Sequence, residues 1–238
     1  MSGHSKWSTI KHKKAALDAK RGKSFTKLIK EITVAARVGG GDSNANPRLR
    51  TLLEKAKAIN MPMDNTVRAI KKGTGELPGV SYEQYIYEGY GPGGIAILAE
   101  VLTDNKNRSA GELRHAFAAN GGNLAEAGSV MWMFEKMGVI KVEAGKLTED
   151  QMLEKLLDFD VADLTLDEGL FYITCNPKSM EAIKQVLTND QVKVESAELE
   201  WTPKTTMKIG DEEAKKAYEF LTNIEDLDDI QNVYTNLG

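Results

Sequence analysis

The chain has 238 residues, of which 41% are hydrophobic and 28% charged, with a formal net charge of −4 at pH 7. That length holds two or three modules of ordinary domain size, and the apolar content supports true cores. No stretch approaches the ~20 apolar residues of a bilayer-spanning helix, and the opening Met-Ser-Gly-His-Ser-Lys lacks the apolar core of a secretory leader, so a cytoplasmic protein with no membrane role is expected.

The net charge conceals a segregation. Residues 1–76 carry 17 Lys and Arg against 6 Asp and Glu, and the remainder carries 14 against 29, so a net of +11 is joined to a net of −15. Asymmetry of this kind points to a polyanionic partner for the basic part. Its first 38 residues contain only Asp18 and Glu31 as acids, too few for the lysines to serve mainly as intrahelical ion-pair partners.

In chain order, a polar arm from Gly3 leads into a helix reaching Arg37. Phe25, Leu28, Ile29, Ile32 and Ala36 fall on one stripe of it, and Lys20, Lys23, Lys27 and Lys30 on the opposite side. Gly22 to Ser24 are read as a possible interruption, and Gly39 to Gly41 as its end. A second helix opens at Asn46-Pro47, with asparagine as cap and proline at the first helical position. Leu49, Leu52, Leu53 and Ala56 form its apolar face. Asp64 is read as the cap of a third, short helix through Val67 and Ile70. The surface of this three-helix bundle keeps Arg48, Arg50, Lys55, Lys57, Arg68, Lys71 and Lys72.

From Tyr82 the periodicity changes. Tyr85 and Tyr87 alternate with polar neighbours, a glycine-rich turn follows, and Ile95 to Leu102 is continuously apolar, which predicts a hairpin. Asn107 to Asn120 reads as a helix and Val130 to Phe134 as a strand. The segment Val139 to Trp201 then gives strand, helix, two strands, helix and strand, the βαββαβ order of a ferredoxin-like sandwich. Glu212 to Leu221 and Asp226 to Leu237 are read as helices that return to pack on the Tyr82 to Phe134 sheet.

Catalytic and metal-binding constellations are thin. Gly89-Tyr-Gly-Pro-Gly-Gly94 formally matches G-x-G-x-x-G, but it leads into a strand, whereas a dinucleotide fold needs it to open a helix. His4, His12 and His115 are the only histidines and show no ligand spacing, so no metal or cofactor is expected. Ser5 and Ser8 lie near His4 and His12 without the rigid frame a triad requires. Cys175, the single cysteine, sits in an apolar run and reads as a core residue. The loop Thr103-Asp-Asn-Lys-Asn-Arg108 concentrates hydrogen-bonding groups, which fits helix capping or a binding role. Trp7, an aromatic in a polar arm, suits base stacking.

Gly3-His-Ser-Lys-Trp, Ile10-Lys-His-Lys-Lys, Asp18-Ala-Lys-Arg-Gly-Lys, Phe25-Thr-Lys-Leu-Ile, Asn46-Pro-Arg-Leu-Arg, Asn60-Met-Pro, Tyr87-Glu-Gly-Tyr-Gly-Pro-Gly-Gly, Thr103-Asp-Asn and Gly121-Gly-Asn-Leu together resemble the YebC/PmpR family. The similarity is dense to about residue 135 and afterwards rests on architecture and length. The resemblance implies a three-domain bacterial cytoplasmic protein labelled a probable DNA-binding transcriptional regulator. Mitochondrial relatives of the family look like translational activators, which points to the ribosome.

The resulting expectation is a multidomain α+β protein. A basic helical domain (1–79) is followed by a middle α+β domain (80–134 with 207–238) closed by C-terminal helices, with a ferredoxin-like domain (135–206) inserted. The expected function is a non-enzymatic regulator that binds DNA, or alternatively rRNA or tRNA at the ribosome; a protein-interaction adaptor working through the acidic α+β domains is the other reading. Lys6, Trp7, Lys11, His12, Lys13, Lys14, Lys20, Arg21, Lys23, Lys27, Lys30, Arg48 and Arg50 are the expected nucleic-acid contacts. No catalytic residue is expected.

Overall fold

The computed structural model describes residues 21–238. They fall into two compact units. One comprises 21–129 with Ile209–Val233, and the other Val130–Lys208 with Tyr234–Gly238.

The first unit begins with three helices, α1 (Arg21–Gly39), α2 (Pro47–Ala58) and α3 (Met63–Gly73). Leu28, Ile32 and Ala35 of α1 pack with Leu49, Leu52 and Ala56 of α2 and Ala69 of α3. The α1 stripe therefore does what its 3.6-residue spacing demands. Gly22, Lys23 and Ser24 lie in the first turn of α1, and the stretch before Arg21 lies outside the described residues. Asn46 caps α2: its Oδ1 accepts from the Leu49 N–H at 3.0 Å, while its Nδ2 donates to the Ala35 and Gly40 carbonyls, both at 2.9 Å. One buried amide thus closes both ends of the α1–α2 connection. At the other end of α2, Asn60 adopts φ 56°, with Met61 N–H donating to Ala56 and Asn60 N–H to Lys57, the paired bonds of a Schellman stop. Pro62 occupies the cap position of α3, and Asp64 lies inside its first turn, where a carboxylate favours the helix dipole without capping. Gly73 crosses so close to α1 that a Cβ would stand 2.4 Å from the Thr33 carbonyl oxygen.

The chain then forms β1 (Glu83–Tyr90), β2 (Ala96–Thr103), α4 (Lys106–Ala119) and β3 (Asn123–Ala125). β1 and β2 pair antiparallel from Glu83↔Thr103 to Tyr90↔Ala96. The turn between them uses Gly93 and Gly94 at φ 73° and 77°, so the glycine run is a hairpin and not a dinucleotide loop. After the second unit, the chain returns as α7 (Asp211–Glu225) and β8 (Ile230–Thr235), and the sheet order is β3-β1-β2-β8. α7 packs through Phe220, whose ring meets Phe117 of α4 edge-on at 5.0 Å and 87°. The expected second C-terminal helix is a strand, with Ile230 and Val233 buried. Its buried apolar residues, Ile230 and Val233, are spaced as a helix would space them, and pairing beside β2 decides the matter.

The second unit contains β4 (Phe134–Glu143), α5 (Glu149–Leu156), β5 (Val161–Asp167), β6 (Leu170–Cys175), α6 (Met180–Asn189) and β7 (Val194–Pro203). The sheet order β5-β6-β4-β7, with β4 antiparallel to both neighbours, is the ferredoxin-like arrangement. Met152 and Leu156 of α5 and Ile183 and Leu187 of α6 share one core with Ile140, Val142, Phe171 and Ile173. A Thr148–Gln151 capping box starts α5. Val130 to Phe134, expected as a strand, is instead a 3₁₀ turn over Met131–Met133 that leads into β4.

Candidate nucleic-acid interface

Of the expected contacts, Lys6, Trp7, Lys11, His12, Lys13, Lys14 and Lys20 lie outside the described residues, as do His4, Ser5 and Ser8. Arg21 is the first residue of α1. The remaining five are placed by the helices of the first unit, and their surroundings differ.

Lys23, Lys27 and Lys30 share a face of α1 at i, i+4 and i+7, and all three turn inward to the end of α7. The Lys23 ammonium donates to the Asp226 carbonyl at 2.9 Å, Lys27 to Glu225 at 2.7 Å and Lys30 to Asp228 at 3.0 Å. The reason lies in α7. A helix C-terminus leaves carbonyls unpaired and carries partial negative charge, and this one has no basic residue in its own last turn. The missing cations come from α1. Lys30 goes further, with an ion pair to Asp229 Oδ1 at 2.6 Å and only 8% exposure. Its ammonium is committed to the protein interior, so Lys30 leaves the set of phosphate contacts.

Asp229 is the hub of this packing. Its Oδ2 accepts from Arg108 Nη2 at 2.9 Å, Ser109 Oγ at 2.6 Å and Thr103 Oγ1 at 2.9 Å. Burial pushes its carboxyl up, but the hydrogen bonds from Arg108, Lys30, Ser109 and Thr103 outweigh burial and hold it well below the usual carboxylate range. The Thr103 to Arg108 loop is thereby explained: Asn105 caps α4 by accepting from Arg108 N–H at 3.1 Å, and Thr103 and Arg108 anchor Asp229. A cavity of about 560 Å³ beside the hub is lined by Lys23, Lys30 and Arg108, but also by five carboxylates, Asp104, Glu112, Asp226, Asp228 and Asp229. That mixture of signs lacks the uniform positive lining a phosphate requires.

Arg50 turns back on its own helix entry, donating to the Ser43 and Asn44 carbonyls, both at 3.2 Å. Arg48 is exposed. The outward side of α3 carries Arg68, Lys71 and Lys72, all exposed, and Lys57 is exposed on α2. Among the described residues, the charged ends of Arg48, Lys57, Arg68, Lys71 and Lys72 make no ion pair or hydrogen bond. The last four are surface cations by sequence as well, yet they stand outside the set of expected contacts. The signal that singles them out is the scarcity of acids beside them, since Asp64 and Glu76 are the only carboxylates from Met63 to Leu77.

Elsewhere, the sheet face of the ferredoxin-like unit turned from α5 and α6 is not an open surface. Val139, Lys141, Tyr172 and Thr174 on that face are buried, and Lys141 is paired with Glu200 at 3.0 Å. Cys175 is buried, and burial pushes its thiol up to about 11, which leaves no thiolate near neutral pH. His115 is an exposed residue of α4. Among the described residues, no group of three or more His, Cys, Asp or Glu could hold a metal ion, and no helix is long and apolar enough to cross a membrane.

The fold and surface therefore define a multidomain α+β protein with a cationic helical head and a ferredoxin-like unit. Two family models match the chain: "TACO1/YebC protein N-terminal domain" over residues 5–76 and "TACO1/YebC second and third domain" over residues 82–237. The chain belongs to the TACO1/YebC family. It is similar to proteins named "Probable transcriptional regulatory protein" from Desulfatibacillum aliphaticivorans, at 53% identity over 99% of this chain and 96% of that one, and from Persephonella marina, at 53% identity over 99% and 95%. A crystal structure of a conserved hypothetical protein from Aquifex aeolicus superposes with a TM-score of 0.85 at 44% identity, covering 94% of this chain and 93% of that one.

Proposed function

We propose that the chain is a non-enzymatic regulator of gene expression that grips the sugar-phosphate backbone of a nucleic acid through its basic helical head. The observation that carries this reading is the set of exposed cations on α2 and α3, Arg48, Lys57, Arg68, Lys71 and Lys72, whose charge no carboxylate of the described residues neutralises. The names of the relatives support a regulator of transcription. The expected contacts Lys6, Trp7, Lys11, His12, Lys13, Lys14, Lys20 and Arg21 extend the same surface by sequence, whereas Lys23 and Lys27 are engaged at the end of α7.

Each engaged phosphate releases counterions, so six or more contacts give a log–log salt slope of about −5 on duplex DNA. The triple substitution Arg68→Gln, Lys71→Gln and Lys72→Gln should flatten that slope by about 2.7, roughly 0.9 for each phosphate no longer neutralised. A slope near zero in the unmodified protein, or a triple variant with an unchanged slope, refutes the reading.

A second reading, action on structured RNA at the ribosome, is favoured by the kind of contact available: lysines and arginines on helix exteriors recognise backbone and shape, which serve RNA as well as an operator. Sedimenting a cell extract with crosslinking distinguishes the two. Co-migration with ribosomes and crosslinks to rRNA or tRNA support the second reading, and crosslinks to DNA alone the first.

A further inference from the structure

On α5 of the second unit the inner residues Met152 and Leu156 are buried, yet Leu153 and Leu157 are 46% and 78% exposed. The two are at i and i+4, and Leu157, the residue that ends α5, keeps helical angles at φ −56° and ψ −33°. They therefore share one row on the outer surface of the helix. Leu166 adds a third. It lies on β5, the outer strand of the sheet, and is 43% exposed. Its register partner on β6 is Phe171, a core residue packed with Met152 and Leu156, and directly opposed residues point to the same face. Leu166 thus sits on the side of the sheet that carries α5. One exposed leucine is ordinary, but three on one side of a small unit need a reason.

The charges around the α5 leucines are of one sign. Residues 147–160 hold Glu149, Asp150, Glu154, Asp158 and Asp160 against Lys155 alone. Lys155 is engaged by Asp190, and Asp160 accepts from Asn176 Nδ2 at 3.1 Å. The other four carboxylates are exposed, and among the described residues they make no ion pair or hydrogen bond. The helix dipole accounts for Glu149 and Asp150, which lie in the first turn of α5. It does not account for Glu154 and Asp158, which stand at the negative end of the same helix, where a carboxylate is disfavoured. Wetted leucines and acids at the wrong helix end are both local costs, and one occupant of the face relieves both.

We propose that this face of the ferredoxin-like unit docks a lysine- or arginine-rich amphipathic helix of a protein partner. The apolar row of that helix packs on Leu153 and Leu157, and its flanking cations meet Asp150 and Glu154 in the adjoining row and Asp158 beyond it. Charge complementarity selects the partner: a neutral or acidic helix would leave the four carboxylates without counter-charge. The same carboxylates repel a phosphate backbone, so this contact goes beyond the nucleic-acid reading and does not depend on it.

The test uses the full chain and a fluorescent synthetic peptide of leucine and lysine alone, patterned as an amphipathic helix, with a second peptide carrying glutamate at the lysine positions. The lysine peptide should bind at low salt and the glutamate peptide should not. Leu153→Ser with Leu157→Ser should weaken binding by about tenfold or more and leave its salt dependence unchanged, because only apolar burial is lost. Leu153→Met with Leu157→Met, which keeps an apolar surface, should bind as the parent does. Glu154→Gln with Asp158→Asn should weaken binding at low salt and flatten the salt dependence. All four positions are exposed, so each double variant should melt within a few degrees of the parent. No binding of the lysine peptide, equal binding of the two peptides, or unchanged affinity in the serine variant overturns the proposal. It also falls if the parent self-associates and the serine variant does not, because a second copy then occupies the face.

Discussion

Asn46 uses both ends of its amide: the oxygen caps α2, and the two N–H bonds close the carbonyls of Ala35 and Gly40. Asn46→Ala should cost about 1–3 kcal/mol, combining a lost cap with the loss of the buried bond to Ala35 and the half-buried one to Gly40. Asn46→Asp tests the division, because it keeps the cap yet points oxygen at both carbonyls; urea denaturation should find it no more stable than the alanine variant. The Asn46-Pro47 start was legible because capping is decided within three residues. The carbonyls that Lys23, Lys27 and Lys30 meet at the end of α7 lie 198 or more positions away, beyond any local pattern. Asp229 gives the pH signature. Its folded pKa lies below the unfolded value, so the stability it contributes is complete above the ordinary carboxylate pKa of about 3.9 and is lost as pH falls below it toward the folded value. Asp229→Asn, which strands the buried Lys30 ammonium, should destabilise by on the order of 3 kcal/mol at neutral pH. That deficit should narrow when thermal melts are compared between about pH 5 and about pH 2.

At the scale of the element, α1 shows how an amphipathic pattern can mislead. The stripe through Leu28 and Ile32 and the lysine face are both real, but the lysine face also packs, because α7 ends in acceptors it cannot satisfy alone. A charged helix face that looks like a ligand surface in the sequence is in part a capping surface. The C-terminal strand β8 escapes sequence reading for a related reason: Ile230, Val233 and Leu237 repeat at helical spacing, and nothing within Asp226 to Leu237 reveals that β2 lies beside it. β3 has only three residues, too short for alternation to register. The ferredoxin-like order is readable because each of its elements is long enough to show its own period. α7 should depend on one aromatic anchor: Phe220 is fully buried against Phe117, so Phe220→Ala should cost about 3–5 kcal/mol in chemical denaturation.

At the scale of the whole molecule, charge segregation and stability are separable. The exposed cations of α2 and α3 hold no structure together, whereas the α1 lysines meet carbonyls and a buried carboxylate that salt screens poorly. Raising salt from about 0.1 M to about 1 M, where the screening length falls from ~10 Å to ~3 Å, should abolish backbone binding yet move the melting temperature by only a few degrees. A melting temperature that collapsed in step with affinity would show that surface ion pairs, not these buried contacts, secure the first unit.

The lysine triplet bears on any recombination of such modules. α7 borrows its terminal counter-charge from a segment encoded some two hundred residues upstream, so neither piece is self-sufficient. A chimaera that exchanged the helical head between relatives would need lysines at the same three rungs of α1. A donor offering glutamates there would set like charge against a negative helix end, and the hybrid would fray at its C-terminal region long before its binding surface was put to use.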